Sequence, residues 1–270
     1  MDKQRLINIS NNLRKDIIEM IYEAGSGHPG GSLSVIDILT YLYFEKMNID
    51  PKSPKAEDRD RLILSKGHAA PALYAVLAEK GYFDKKELNN LRKLNHILQG
   101  HPDAKKCPGV DISTGSLGQG FSNGCGIALG CKMSNLSSKV YVVLGDGEIQ
   151  EGIVWETMMA ASKFKLDNLI AIVDRNGIQL DGRTEDIMPI EDLNKVVSGF
   201  GWNVVECNGH DFEELEEVFK IVDRIEGKPT LIIANTIKGK GVSFMEDNVA
   251  WHGAAPTKEQ LDKALSEILA

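Results

Sequence analysis

The chain has 270 residues, of which 42% are hydrophobic, enough to form one large α/β domain or two smaller ones. A formal net charge of −8 argues against nucleic acid as a partner, and no apolar run approaches the roughly 20 residues that a membrane helix needs. The amino terminus begins an amphipathic helix rather than a signal peptide, and the four cysteines lack CxxC spacing, so we expect a cytoplasmic protein with reduced, mostly buried thiols.

The first half of the chain is predicted to be mainly helical, with apolar residues at amphipathic spacing. Ser32 is the predicted N-cap of the second helix. The last helix of this half contains five glycines, each costing about 1 kcal/mol of helix stability relative to alanine, so we expect a buried, closely packed face to offset that cost. The predicted elements are, in chain order, a helix over residues 2–24, a helix over 32–44, a strand over 61–64, a helix over 69–80, a short helix over 85–93 and the glycine-rich helix over 117–133.

In the second half, short apolar strands alternate with helical segments. The predicted elements are, in chain order, a strand over 140–144, a helix over 151–161, strands over 169–173 and 202–206, a helix over 212–226, a strand over 230–234 and, after an irregular stretch, a helix over 258–269. Because helices and strands alternate, we expect a single α/β domain over residues 1–270. Its predicted fold is a doubly wound, mainly parallel sheet with helices on both faces.

Two of the predicted strands each end in a hard oxygen ligand. Asp146 follows the strand at 140–144, between Gly145 and Gly147, and Asn176 follows the strand at 169–173. Asn176 lies 31 residues after Gly145, enough for one crossover helix between parallel neighbours. A carboxylate and an amide, next to glycines that leave the backbone accessible, suit a Mg²⁺ ion that keeps phosphate oxygens among its ligands. We therefore expect a magnesium diphosphate at the carboxyl edge of the sheet.

Other interpretations of this segment are limited. Gly145 and Gly147 do not begin a dinucleotide fingerprint, because Gln150 stands where the third glycine is needed. No GxxxxGKS or GxxxxGKT sequence occurs, which argues against a P-loop nucleotidase. Taken alone, the segment could be an ordinary turn, since glycine and aspartate are common turn residues.

Four of the six histidines lie in loops rich in glycine or proline rather than on apolar helix faces. They are His28, His68, His101 and His252. Histidine titrates near neutral pH, so a group of histidines at one sheet edge suits acid–base chemistry. His96 and His210 lie in no such motif, and we expect them to be surface or structural residues.

Together these features resemble the thiamine-diphosphate enzymes, and transketolases in particular, because Trp155 and Glu156 follow the extended GDG segment. The resemblance covers nearly the whole chain but only the amino-terminal half of a full-length transketolase. The matching segments, in the family's order, are residues 27–31 (GHPGG), 64–70 (LSKGHAA), 100–102 (GHP), 113–120 (STGSLGQG), 145–152 (GDGEIQEG) and 251–253 (WHG).

The resemblance implies the thiamine-diphosphate-binding fold and roles for single residues. Mg²⁺ would be held by Asp146, Asn176 and the main-chain oxygen of Ile178. Thiamine diphosphate would be contacted by His68, Gly115, Ser116, Leu117, Gly147, Asn176 and His252. The catalytic residues would be His28, His101 and His252. These three would surround the reactive carbon of the thiazolium ring, bind ketose hydroxyls and move a proton.

Other family positions have two interpretations each. Glu151 and Glu156 match glutamates at a subunit contact, or form an ordinary helix face. Arg92 would assist binding of the substrate phosphate, or is a solvated helix charge. The helices over 117–133 and 151–161 are the candidate contacts of a homodimer.

The resemblance also implies a partner. In transketolases the glutamate that activates the pyrimidine ring belongs to a second domain, which this sequence does not contain. We therefore expect the amino-terminal subunit of a two-chain transketolase, inactive alone and active with a carboxy-terminal subunit in a heterotetramer. The pyrimidine-binding and carboxy-terminal domains would lie on that partner. A fragment of a longer enzyme is the alternative.

The expected reaction is transfer of a two-carbon ketol unit from a ketose phosphate to an aldose phosphate, as in the pentose phosphate pathway. Three alternatives remain open: a decarboxylating enzyme resembling deoxyxylulose-phosphate synthase, a transketolase for an unusual sugar, and a non-catalytic partner subunit. The segments at 145–152 and 100–102 favour a transketolase over the synthase. The presence of all the expected metal ligands and loop histidines favours an active enzyme.

Overall fold

A computed structural model of the chain describes residues 1–190 and 192–269. The strands in this part are β1 (Arg61–Leu64), β2 (Val140–Gly145), β3 (Leu169–Arg175), β4 (Asn203–Asn208) and β5 (Thr230–Asn235). They form one sheet in the order β1-β2-β3-β5-β4, and each neighbouring pair is parallel. The helices are α1 (Lys3–Ala24), α2 (Pro29–Tyr41), α3 (Ala70–Lys80), α4 (Gln119–Met133), α5 (Gly152–Lys163), α6 (Thr184–Ile187), α7 (Leu193–Gly199), α8 (Phe212–Val222) and α9 (Lys258–Ile268).

Helices cover both faces of the sheet. Alternate strand residues point to opposite faces, so Tyr141 and Val143 join the core formed with α1, α2, α3, α8 and α9. Val142 and Leu144 join the core formed with α4, α5 and α7. These four side chains are at most 1% exposed, and burial on both faces explains why β2 is a continuous apolar run. The predicted doubly wound parallel sheet is confirmed.

Helix α2 is buried along its whole length and begins earlier than predicted. Pro29 occupies the first helical turn, where its fixed φ suits a helix and its missing N–H costs nothing. His28 is the N-cap residue, and Ser32 lies inside the helix, with its hydroxyl donating to the His28 carbonyl at 2.7 Å. The prediction of Ser32 as N-cap is therefore wrong, because Pro29 determines the start.

Helix α4 has a buried side and an open side. A Cβ added to Gly120 would lie 2.7 Å from the Cα of Ser65, and one added to Gly124 would lie 2.5 Å from a methyl of Val142. Close packing at these two glycines confirms the prediction for one side of the helix. At Gly126 and Gly130 no described atom lies within 4 Å of an added Cβ, so on that side the prediction of a buried face is wrong.

Several boundaries differ from the sequence prediction. The helix predicted over 85–93 is a 3₁₀ turn (Lys85–Asn90), and the helix predicted over 212–226 ends at Val222. Helices α6 and α7 lie in a stretch with no predicted element, since both are too short to show a helical period. The four cysteines are free and buried, as predicted. Among the described residues, no helix combines the length and the hydropathy required to span a bilayer.

Candidate active site

The loops that follow β1, β2, β3 and β5 surround a cavity of about 300 Å³ at the carboxyl edge of the sheet. A second cavity of about 300 Å³ lies on the other side of Asp146, with Arg183 and Met188 in its wall and no histidine among its described lining residues. We place the candidate site in the first cavity, because the predicted residues converge there. Those in its wall are His68, Leu117, Asp146, Gly147, Asn176, Ile178 and His252.

The carboxylate of Asp146 joins the ends of β2 and β3. Its Oδ1 accepts a hydrogen bond from the N–H of Gly147 at 2.8 Å, and its Oδ2 accepts one from the N–H of Gly177 at 2.5 Å. The side-chain oxygen of Asn176 accepts from the N–H of Ile178 at 3.2 Å. The three predicted metal ligands therefore lie on two adjoining loops, held together by the Asp146 carboxylate.

Asn176 is oriented by a buried polar network centred on Asp174. The Asp174 carboxylate accepts hydrogen bonds from the Lys66 ammonium and from the hydroxyls of Ser34 and Thr236. The Asn176 NH₂ group lies 3.4 Å from the same carboxylate, so the amide oxygen, which already accepts from the N–H of Ile178, keeps one lone pair for a cation. Burial alone would raise the pKa of Asp174, but Lys66 and the hydroxyls outweigh burial and hold that pKa below its ordinary value.

A second buried lysine, Lys238, contacts one of the predicted metal ligands. Lys238 Nζ donates to the main-chain oxygen of Ile178 at 2.9 Å and contacts Nδ1 of His252 at 2.8 Å. Because an ammonium group can only donate, His252 accepts at Nδ1 and carries its own proton on Nε2. Burial and the nearby Lys66 lower the pKa of Lys238 to about 8, so it is mainly charged at pH 7.

His28, His68 and His252 form a histidine cluster, with ring centroids 5.4–5.6 Å apart. Burial, followed by nearby positive groups, lowers the pKa of His28 and of His252 to about 4, and lowers that of His68 well below its ordinary value. All three rings are neutral at pH 7, so each offers one donor and one acceptor. His28 Nδ1 is buried without a hydrogen-bond partner among the described residues, which marks a place where a ligand group is expected.

His101 lies against the loop that precedes α4. Gly115 in that loop has a φ of +149°, and a Cβ added there would lie 3.1 Å from His101 Cγ, so only glycine permits this approach. Burial and Arg92 lower the pKa of His101. Leu117 reaches the cavity, whereas Ser116 is exposed and is not among the described lining residues.

His96 and His210 lie outside the candidate site, as predicted. His96 Nε2 is 2.6 Å from a carboxylate oxygen of Glu87. His210 Nδ1 is 2.7 Å from Asp37, which also accepts a bidentate pair of hydrogen bonds from Arg14. His210 is therefore a structural residue that ties the loop after β4 to α1 and α2.

The positions with two interpretations lie at different distances from the cavity. Arg92 donates to Ser26 Oγ at 2.9 Å and is close enough to His28 to lower its pKa. Glu151 is exposed and lines the cavity, whereas Glu156 is exposed on α5 and is not among the described lining residues. Glu151 thus lies in the wall of the cavity, whereas Arg92 lies near His28 and His101 but is not among the described lining residues, and the roles of both stay predictions.

Sequence reasoning missed four charged residues of the site: Lys66, Glu148, Asp174 and Lys238. Asp174 lies at the end of an apolar strand, where a buried charge needs a partner, and this was the available signal. Lys66 lies two residues before His68 in a segment already singled out for the histidine. Lys238 lies in an irregular loop, and nothing in the sequence indicates that this loop folds over the end of β3.

The donors at this edge fit a hard cation with phosphate oxygens among its ligands. A carboxylate, an amide oxygen and a main-chain oxygen are ligand types that Mg²⁺ uses. Burial and the nearby Asp174 raise the pKa of Asp146 to about 6, and a bound cation would favour its ionised form. Within residues 1–190 and 192–269, no three His, Cys, Asp or Glu side chains form a metal site by themselves, so other oxygens would have to complete the coordination.

Comparison with known proteins identifies close relatives. The family model described as "Transketolase, thiamine diphosphate binding domain" matches residues 3–268. The chain is 44% identical to a subunit of the apulose-4-phosphate transketolase of Phocaeicola vulgatus over 255 residues, which cover 94% of this chain and 90% of the relative. It is 45% identical to the 6-deoxy-6-sulfo-D-fructose transketolase subunit SqwG of a Clostridium species over 259 residues, covering 96% and 94% of the two chains.

Full-length transketolases match over part of their length. Human transketolase is 41% identical over 266 residues, which cover 98% of this chain and 42% of the human protein. The crystal structure of the transketolase from Campylobacter jejuni matches with a TM-score of 0.93 at 35% identity, covering 99% of this chain and 43% of that one. The chain thus spans about two fifths of these proteins but nearly all of the relatives called subunits.

Proposed function

The chain belongs to the transketolase family, and from this we propose that it is the amino-terminal subunit of a two-chain transketolase. The reaction we propose is transfer of a two-carbon ketol unit from a ketose phosphate to an aldose phosphate, with thiamine diphosphate and Mg²⁺. The observation that carries the proposal is the convergence of Asp146, Asn176, His68 and His252 on one cavity at the carboxyl edge of the sheet, with the ring of His28 beside the two histidines.

Thiamine diphosphate, when bound, supplies the carbanion-stabilising chemistry. In this proposal Asp146, Asn176 and the main-chain oxygen of Ile178 hold Mg²⁺, and His68 and the backbone at Gly147 contact the diphosphate. The N–H of Gly147 already donates to Asp146, so a phosphate oxygen would share that donor. Lys66 and Lys238 supply the local positive charge that a chain with a net charge of −8 lacks overall.

The contribution of this chain to the chemistry is its set of neutral histidines. His252, whose Nδ1 is engaged by Lys238, offers its Nε2–H as a donor. His28 and His101 would bind ketose hydroxyls and accept or return a proton. An acid–base group of this kind contributes roughly 10²–10⁴-fold to the rate.

A carboxy-terminal partner subunit completes the proposed enzyme, in a heterotetramer. The two relatives that are named as transketolase subunits align over 90% and 94% of their own length, which supports a similar division of the enzyme into two chains here. Leu180 lines the cavity yet is 63% exposed, as expected if a second polypeptide covers this side. The partner would bring the glutamate that activates the pyrimidine ring.

The relatives differ in the sugar to which their names refer. The names of two relatives refer to modified sugars, apulose 4-phosphate and 6-deoxy-6-sulfofructose, whereas the human relative is named only as a transketolase. We therefore propose a ketose donor that is either an ordinary pentulose phosphate or a branched or sulfonated analogue. We also propose a cytoplasmic location, and for the ordinary donor a place in the pentose phosphate pathway.

The test is a ketol-transfer assay with thiamine diphosphate and Mg²⁺, using this chain alone and together with a carboxy-terminal transketolase subunit that copurifies with it. Xylulose 5-phosphate, a branched ketose phosphate and a sulfonated ketose serve as donors, with ribose 5-phosphate or glyceraldehyde 3-phosphate as acceptors. Activity only in the mixture is the expected result.

Two variants test whether the site is catalytic. His101→Ala should abolish the activity of the mixture, whereas His96→Ala, a histidine paired with Glu87 outside the site, should leave it unchanged. Unchanged turnover with His101→Ala would instead support a non-catalytic partner subunit. Ketol transfer by this chain alone at the rate of the mixture would contradict the two-chain proposal.

A further inference from the structure

Glu148, which follows the GDG segment, is a buried carboxylate that no proposed step of the reaction uses. Its side chain is 2% exposed. Oε1 accepts hydrogen bonds from the Ser65 hydroxyl at 2.5 Å and from the N–H of Gly118 at 2.7 Å, and Oε2 accepts one from the N–H of Gly145 at 3.0 Å. Both oxygens are therefore engaged by neighbours of the site.

The three donors belong to three different segments around the candidate site. Ser65 begins the loop that carries His68. Gly118 follows Leu117, at the end of the loop predicted to lie along the cofactor ring. Gly145 is the last residue of β2 and precedes Asp146, the predicted metal ligand, so one carboxylate joins these three segments.

Close backbone packing makes the positions of these loops interdependent. Gly118 has a φ of +78°, and a Cβ added there would lie 2.5 Å from a methyl of Ile153. A Cβ added to Gly120 would lie 2.7 Å from the Cα of Ser65. With so little space between the segments, a shift of one loop displaces the next.

We propose that Glu148 is a positioning residue that holds the His68, Leu117 and Asp146 loops in the geometry that binds thiamine diphosphate, an inference that rests on the proposed function. Three donors converge on its side chain, and only a carboxylate offers acceptors at both oxygens. Glutamine at this position would turn its NH₂ group toward at least one of those donors. A buried N–H would then lose its partner, and the loops would separate.

The experiment compares Glu148→Gln with the unaltered chain. The control is Asp60→Asn, because Asp60 is also a buried carboxylate. It accepts two backbone hydrogen bonds, from the N–H groups of Asn48 and Lys139, each at 2.8 Å. Asp60 lies just before β1, at the edge of the sheet opposite the candidate site. Both variants are expected to lower the melting temperature. Only Glu148→Gln should raise the dissociation constant and the apparent KM for thiamine diphosphate at saturating Mg²⁺, by about tenfold or more, with kcat at saturating cofactor nearly unchanged.

Two further measurements keep the inference testable if Glu148→Gln folds poorly. Ser65→Ala removes one donor and keeps the carboxylate, and it should weaken cofactor binding less than Glu148→Gln does. Hydrogen exchange of the chain without partner or cofactor should become faster in the peptides containing Gly118 and Gly145 in Glu148→Gln, but not in Asp60→Asn.

The outcomes separate this inference from the proposed function. If the unaltered complex binds thiamine diphosphate and both site variants bind it equally well, this inference alone is overturned. An equal loss of cofactor affinity in Asp60→Asn would also overturn it, because the effect would then be one of general stability. If the unaltered complex binds no thiamine diphosphate, the proposed function and this inference fail together.

Discussion

Lys66 and Asp174 form an ion pair in which neither side chain is more than 1% exposed. Lys66 comes from the loop after β1 and Asp174 from β3, and the ammonium also donates to the carbonyl of Gly31 at 3.0 Å. The pair therefore connects α2 with two strands that do not neighbour each other. It also orients Asn176, which lies 3.4 Å from the same carboxylate.

Removal of one partner of this pair should strongly destabilise the fold. Asp174→Ala would leave the Lys66 ammonium buried without a counter-ion, which costs about 3–5 kcal/mol of unfolding free energy. Asp262→Ala is the control, because its pair with Lys258 at 2.7 Å is largely exposed to solvent and should contribute little to stability. Urea denaturation of the two variants measures both values. Similar, small effects would mean that the buried pair is not required for stability.

Two glycines of the same helix should respond to alanine with opposite sign. Gly124→Ala places a methyl 2.5 Å from Val142 and should destabilise the chain by about 1–3 kcal/mol. Gly130→Ala meets no described atom within 4 Å and should stabilise the isolated chain by about 0.5–1 kcal/mol through helix propensity. Thermal unfolding of both variants checks the sign. A loss of stability at Gly130 comparable to that at Gly124 would show that a second copy or a partner packs on the open side of α4.

Stability should fall on mild acidification because of the histidine cluster. The pKa of His28 is lowered to about 4, against an ordinary value of 6.5, so the unfolded chain binds a proton that the folded chain does not. The penalty is absent above about pH 7, increases as the pH falls through 6.5, and is complete below about pH 4. After allowance for partial exposure it is on the order of 1 kcal/mol. His28→Asn should reduce the loss of unfolding free energy between pH 7 and pH 5. An unchanged dependence of that free energy on pH would mean that His28 is not the group responsible.

Loss of the carboxylate that joins β2 and β3 should abolish metal-dependent binding. Asp146→Ala removes a proposed Mg²⁺ ligand, and because loss of outer-shell partners alone costs 10–100-fold, we expect the dissociation constant for magnesium thiamine diphosphate to rise by more than about 100-fold. Calorimetry with and without EDTA measures it, and chelation should weaken binding only in the unaltered protein. Equal affinity of both proteins in excess Mg²⁺ would exclude Asp146 from the metal site.

Local patterns in the sequence predicted the parts of the structure that depend on neighbouring residues. The apolar runs of β2 and β3 end at Asp146 and Asn176, and parallel pairing brings those ends together. Contacts between distant segments were not predictable in this way. Lys238 reaches Ile178 and His252 only because the loop after β5 folds over the end of β3.

The first residue of α2 could not be predicted from the sequence alone, for a different reason. Both Pro29 and Ser32 favour the first turn of a helix, and the sequence alone does not rank them. In the structure Pro29 occupies the first turn and Ser32 lies inside the helix. For α4, the sequence shows many glycines but not which of them face the sheet, since this depends on where Ser65 and Val142 lie.

The rings of His28 and His252 are 5.6 Å apart, although one residue lies near the beginning of the chain and the other near its end. During synthesis, the segment with His28 leaves the ribosome long before the segment with His252 is made. The histidine cluster can therefore assemble only after residue 252 has been translated, and closing such a long loop slows the step further. A nascent chain stalled before residue 252 should therefore lack the complete cluster, with His28 and His68 left without the third ring.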